Sequence, residues 1–252
     1  MSVMINSEKE SSRSFKRTLK IVLVVFVIAG ITVAVANRQM FQFNSSSTLD
    51  KDIEDINSFV SGGNRLRIAM FGLPASGKGT VGSKLAETFK LKHVSSGDLL
   101  RNEMKRISEL KDGESALSSS EKEAMSSGKF VSDEFVIDLL KNAVGDSDYV
   151  LDGFPRSLSQ IDVFPIDVAV YLNVPEEKAK ERMFGRSSKE EQQRDDDNAT
   201  IFQTRVGQFL ENTHPVITEL KTRGMLVEVD GSGEVEDVFT KVVEEMRKHL
   251  IK

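Results

Sequence analysis

The apolar stretch Leu66–Phe71 runs straight into "GLPASGKGT", a loop with three glycines and a lysine, and then into a helical pattern over Lys78–Phe89. A strand that empties into a helix can rejoin its sheet only by a crossover, so the next strand lies parallel to the first. Repeated along the chain, this junction is the signature of a parallel sheet with helices on its faces. The rest of the chain keeps the same alternation. Strands are expected at Leu66–Phe71, Lys92–Val94, Tyr149–Leu151, Asp167–Leu172 and Met225–Val229. Helices are expected at Lys78–Phe89, Gly97–Ile107, Ser120–Ser127, Asp133–Val144, Pro175–Phe184, Asn198–Thr222 and Val235–Leu250, with Pro175 suited to a first turn and Asp133 to an N-cap. Such sheets bind ligands at the carboxyl ends of their strands, and the glycine loop falls there.

Glycines let backbone N–H groups close around an anion while the lysine neutralises it, and a phosphate is the expected guest. Gly72, Gly77 and Lys78 satisfy G-x-x-x-x-G-K, and Thr80 supplies a hydroxyl one position later than usual, with Gly79 between. The loop, with Ala75, Ser76, Gly77 and Gly79, would hold the β-phosphate of a nucleotide. Lys78 would bridge the β- and γ-phosphates and Thr80 would ligate Mg²⁺. Ala75 has less backbone freedom than glycine, which costs nothing if it keeps a negative φ. "VLDGFPRSLSQ", residues 150–160, repeats the layout of strand, glycine turn and cation. Asp152 can hold Mg²⁺ through water there, and the Arg156 fork suits phosphate oxygens. "SSGDLLRNE", residues 95–103, places Arg101 after another glycine-containing helix start.

Together these segments resemble an adenylate kinase, of the wider nucleoside monophosphate kinase family, over about Arg65 to Lys252. "GLPASGKGT" is similar to the family's phosphate loop, which normally has glycine at Ala75. From "SSGDLLR" the resemblance implies AMP contacts for Ser96 and Arg101. "GKFVSDE", residues 128–134, resembles the stretch framing the AMP base and ribose, near Lys129 and Val131. "LDGFPRSLSQ" implies AMP contacts for Gly153, Arg156 and Gln160. The Gln160 amide presents a donor and an acceptor to an adenine edge, whereas members preferring UMP and CMP resemble one another in carrying asparagine there. "RMFGRSSKEEQQRDDDNATIFQTR" resembles a short lid without the cysteines of zinc-bearing lids, and this implies that Arg182, Arg186, Arg194 and Arg205 close over the phosphates while Asp196 and Asp197 steer them. Arg182 and Arg186 fall on the ATP side, Arg194 and Arg205 also reach AMP, and "VDGSGEV" puts Gly233 beside the ATP base.

The implied fold is α/β, a P-loop NTPase-type parallel five-stranded sheet flanked by helices, with NMP-binding (about 95–145) and short lid (about 185–197) subdomains in a catalytic domain spanning 65–252. The implied reaction is ATP + AMP = 2 ADP with Mg²⁺, with Lys78, Arg156, Arg186, Arg194 and Arg205 supplying charge to the transferring group. A UMP/CMP kinase and a membrane-tethered nucleotide sensor are the alternatives. An intact set of phosphate-facing cations weighs against the sensor.

Composition narrows the rest. The formal charge of −5 argues against an electrostatic nucleic-acid binder, and the absence of cysteine excludes disulfides and thiolate metal sites. A monomeric catalytic domain is expected. Residues 21–36, "IVLVVFVIAGITVAVA", form an uncharged run of 16 residues behind the basic segment 1–20, which carries Arg13, Lys16, Arg17 and Lys20. At about 24 Å it is short for a hydrocarbon core of about 30 Å, and snorkelling of Lys20 and Arg38 would make up the length. A single-pass membrane anchor is expected, with a cleaved signal ending at Ala34-Val35-Ala36 as its rival. Residues 37–64 read as a tether with one helical turn. The basic flank predicts a cytosolic N-terminus, but the glycosylation acceptor Asn198-Ala199-Thr200 would burden the lid in a secretory lumen, which keeps an organellar or cytosol-facing site open.

Overall fold

The computed structural model describes residues 47–108, 132–187 and 199–251. Five strands, β1 (Arg67–Phe71), β2 (Lys92–Ser95), β3 (Tyr149–Asp152), β4 (Val168–Asn173) and β5 (Leu226–Asp230), form one sheet in the order β2-β3-β1-β4-β5. Every pairing is parallel, as expected from the sequence. β1 lies at the centre, with Ile68, Ala69, Met70 and Phe71 all at most 2% exposed, because a strand covered on both faces must be apolar throughout. The described residues from Asp52 onward make one compact unit.

The helices pack through regular apolar stripes. Helix α2 (Lys78–Phe89) buries Val81, Leu85, Ala86 and Phe89. On one face of the sheet Ala69, Phe71 and Ala169 pack with Val216, Ile217 and Leu220 of α7 (His214–Thr222). Towards the β2 edge, α4 (Asp133–Val144) sets Leu140 and Val144 against Val94, Leu151 and Phe154. In chain order α3 (Ser96–Ser108) falls between α2 and α4, and α5 (Glu176–Ser187) and α6 (Ala199–Gln208) fall between α4 and α7. The last helix, α8 (Val235–Leu250), buries Val238, Phe239, Val242, Val243 and Met246 at helical spacing.

Four expectations change. Residues 47–61 form a helix, α1, where a tether was expected. Ile56 is fully buried, and Asp55 accepts a 3.0 Å hydrogen bond from Arg247 Nε, so a core position and an ion pair hold this segment in place. The single helix Asn198–Thr222 is interrupted by a π-turn at Phe209–Thr213. Pro215 follows it and has no N–H to continue the α ladder, so the wider turn takes up the lost bond. Asp133 is the first residue of α4, and Ser132 occupies the N-cap position. Likewise α5 begins at Glu176, and Pro175 is the residue before it, whose carbonyl accepts from Ala179 N at 3.0 Å. The run 21–36 and the expected helix Ser120–Ser127 lie outside the described residues. Among those described, no helix is long and apolar enough to cross a membrane.

Candidate active site

β1 delivers the chain to the carboxyl edge of the sheet, and the loop from Gly72 to Gly77 turns back into α2. Gly72 has φ +148, and a Cβ there would lie 2.6 Å from Ser76 Oγ and 2.8 Å from Leu172 O. No side chain fits at that point, so the loop can close tightly only around glycine. Ala75 adopts φ +60, in the left-handed region, and the expectation that its negative φ makes alanine harmless is corrected. Its methyl packs on the cluster of Val174, Ala179, Met183, Phe202 and Val206, a contact that opposes part of the backbone strain. Lys78 Nζ donates to Gly72 O at 2.9 Å and Leu73 O at 2.8 Å, which holds the ammonium across the loop. Thr80 is exposed on the first turn of α2.

Arg182 of α5 ties this loop to another. Its Nη1 donates to Ser76 O at 3.1 Å and its Nη2 to Gly233 O at 3.0 Å. The guanidinium thus spans the Gly72–Gly77 loop and the turn after β5, beside Gly77. Ser76 Oγ is buried and makes no hydrogen bond, a donor held within the loop.

A second cradle is built where β2 meets β3. Parallel pairing sets Ser95 beside Asp152, so the next residues, Ser96 and Gly153, leave the sheet together. Ser96 Oγ donates to Gly153 O at 2.8 Å, and Arg156 donates from Nε to Gly153 O at 2.7 Å and from Nη2 to Ser96 Oγ at 3.2 Å. Gly153 has φ +78, and a Cβ would lie 2.8 Å from Ser96 Oγ and 2.9 Å from Arg156 Nη2. Loss of water contact pulls the Arg156 pKa below its ordinary value; the Asp152 charge opposes the shift and the Arg101 charge adds to it. Arg101 pairs with Asp98 one turn earlier on α3. Gln160, 5% exposed, accepts from Arg156 N at 2.8 Å and donates to Asp133 Oδ1 at 2.5 Å.

Asp152 links the two cradles. Its Oδ2 lies 3.3 Å from where a Cβ on Gly79 would sit, and its charge acts on Arg156. The structure therefore brings Gly79 of the first cradle together with Asp152, Arg156 and Arg101 along one sheet edge. Arg205 sits half-buried on α6, between the buried residues Phe202 and Val206. Lys129, Val131 and Arg194 lie outside the described residues, as does the side chain of Arg186.

Sequence reasoning missed two contributors. Asp133 passed for a cap, although the serine-rich segment facing it is an equally polar signal. Thr213 donates to Arg156 O at 3.1 Å from the π-turn, which no periodicity announces. Arg182, expected from the sequence on the ATP side, donates here to the Ser76 and Gly233 carbonyls.

A family model described as Adenylate kinase matches residues 70–225. A protein named Adenylate kinase from Xanthomonas campestris pv. campestris (strain B100) is 36% identical over 190 residues, covering 70% of this chain and 97% of that protein. One from Xanthomonas oryzae pv. oryzae (strain MAFF 311018) is 34% identical over 190 residues, with the same coverage. Another from Xylella fastidiosa (strain 9a5c) is 33% identical over 191 residues, covering 71% of this chain and 97% of its own length.

Proposed function

The chain belongs to the adenylate kinase family, and from that premise we propose the part its own residues take in the reversible reaction ATP + AMP = 2 ADP. It is a phosphotransferase of the nucleoside monophosphate kinase type. The attacking AMP phosphate oxygen is already anionic, so the step needs no general base. It needs two polyanions held in line and positive charge on the oxygens of the group in flight.

In this reading the loop Gly72–Thr80 takes the donor phosphates, which compete with the Gly72 and Leu73 carbonyls for the Lys78 ammonium. Ser96, Arg101, Gly153 and Arg156 take the acceptor phosphate, Gln160 meets the base, and Arg182 and Gly233 border the ATP side. Arg186, Arg194 and Arg205 complete the charge, with Lys129 and Val131 near the acceptor nucleoside. The observation that carries the reading is the position of Asp152, set against Gly79 of one cradle and acting on Arg156 of the other.

When bound, Mg²⁺ neutralises the donor phosphate oxygens. The Thr80 hydroxyl and Asp152 carboxylate suit an ion that arrives with the nucleotide and keeps waters. Among the described residues no group of three or more His, Cys, Asp or Glu side chains forms an all-protein cage.

ADP production by the full chain from ATP and AMP tests the proposal, with CMP, UMP and GMP as competing acceptors. Replacing Arg156 by alanine should lower turnover by roughly 10³–10⁵, the range for an arginine acting on transition-state charge. A variant turning over at near the parent rate would remove Arg156 from the mechanism. We also propose that residues 21–36 anchor the chain in a membrane as a single pass, supported by their uncharged composition between Lys20 and Arg38.

A further inference from the structure

An amide side chain can lie either way round, and turning it over exchanges its donor with its acceptor. Gln160 meets two partners of opposite polarity. The Arg156 backbone N–H donates to Oε1 at 2.8 Å, and Asp133 Oδ1 accepts from Nε2 at 2.5 Å. Turned over, the amide would set N–H against N–H and oxygen against carboxylate. Both contacts would become repulsive.

Asp133 is itself held. Its Oδ2 accepts from Ser159 Oγ at 3.0 Å, and Ser159 Oγ pairs with Ser157 Oγ at 2.7 Å. It stands at the first position of α4, whose Leu140 and Val144 are embedded in the core. The carboxylate therefore rides on a rigid element, and Gln160 is tethered to it across 27 residues of sequence.

We propose that Asp133 is a positioning residue that fixes the orientation of the Gln160 amide and so makes adenine, rather than a 6-oxopurine, the accepted base. The inference rests on the reading that Gln160 meets the acceptor base. With one lone pair and one hydrogen already engaged, the locked amide retains one acceptor and one donor for a ligand. Adenine offers an amino donor at C6 and an acceptor at N1. Hypoxanthine offers the reverse, an oxygen acceptor at C6 and an N1–H donor. A fixed amide matches one order and opposes the other.

Steady-state kinetics of the full chain with AMP and IMP test this. Asp133→Ala should raise KM for AMP roughly tenfold, as expected for losing a hydrogen bond to a charged group. It should lower the AMP:IMP ratio of kcat/KM by a similar factor, with KM for ATP unchanged. Asp133→Asn keeps an oxygen acceptor and should restore most of the ratio; an asparagine variant no better than alanine would overturn the proposal. So would an Asp133→Ala enzyme with the parent AMP:IMP ratio while Gln160→Ala shifts it, a result that leaves the base-contact reading standing. A Gln160→Ala enzyme with unchanged AMP kinetics would overturn both. If Asp133→Ala does not fold, the unsubstituted chain still decides: NMR should show a slowly exchanging Gln160 side-chain N–H, and two rapidly exchanging protons would refute the lock.

Discussion

Gly153 shapes the proposed acceptor cradle, because its missing Cβ is what lets Ser96 and Arg156 approach the same carbonyl. A methyl group there would press on both at under 3.0 Å, on a backbone of φ +78. Gly153→Ala should cost about 1 kcal/mol or more in denaturant unfolding from backbone strain alone. Its kcat/KM for AMP should fall by on the order of 10², since misplacing a positioning group by about 1 Å costs that much. Activity lost only in proportion to stability would show that the Ser96–Gly153–Arg156 arrangement does not matter to the reaction. Ala75 shows the opposite balance. Left-handed strain of roughly 1–2 kcal/mol is opposed by burial of a methyl group, about 0.8 kcal/mol, and by the lower unfolded-state entropy of alanine relative to glycine.

At the scale of elements, β3 is fastened at its start as well as its end. Tyr149, 3% exposed, meets Phe164 edge-on with centroids 6.3 Å apart and donates to Pro165 O at 2.6 Å. Burial pushes its phenol pKa up from 10.0 to about 12. The folded state thus favours the neutral phenol, so the stability this group confers is complete below pH 10 and disappears as pH rises towards 12. The loss across the window, the cost of ionising a buried phenol, is on the order of 2–3 kcal/mol. Tyr149→Phe should be less stable than the parent at pH 8, by about 1 kcal/mol for the lost hydrogen bond. The gap should close by pH 11, and urea midpoints with a constant gap would contradict the assignment. Strands and helices of this kind were legible because their apolar residues recur at fixed intervals and punctuating glycines mark the turns. The α1 helix was less legible: Ile53, Ile56 and Val60 lie at helical spacing, but "DKDIED" and the flanking serines and glycines dominate the local composition. The π-turn left only Pro215 as a trace.

For the whole molecule, the site was legible where contacts are local in sequence, as in Gly72 to Thr80 or Gly153 to Gln160. It was not legible where partners meet across the fold, as Asp133 does with Gln160 or Thr213 with Arg156, since no short-range pattern encodes those meetings. The proposed anchor also belongs to this scale. Full-length protein should stay with membranes through alkaline carbonate extraction, and protease protection of the kinase domain would report its side; release into the supernatant would dismiss a spanning segment. The pair of hydrogen bonds made by Arg182 has one more outcome. Because a single side chain grips both the turn at Gly233 and the Gly72–Gly77 loop, order imposed on one is felt at the other; if, as proposed, the turn borders the purine and the loop takes the phosphates, adenosine and inorganic triphosphate, offered as separate fragments, should each bind better when the other is already present.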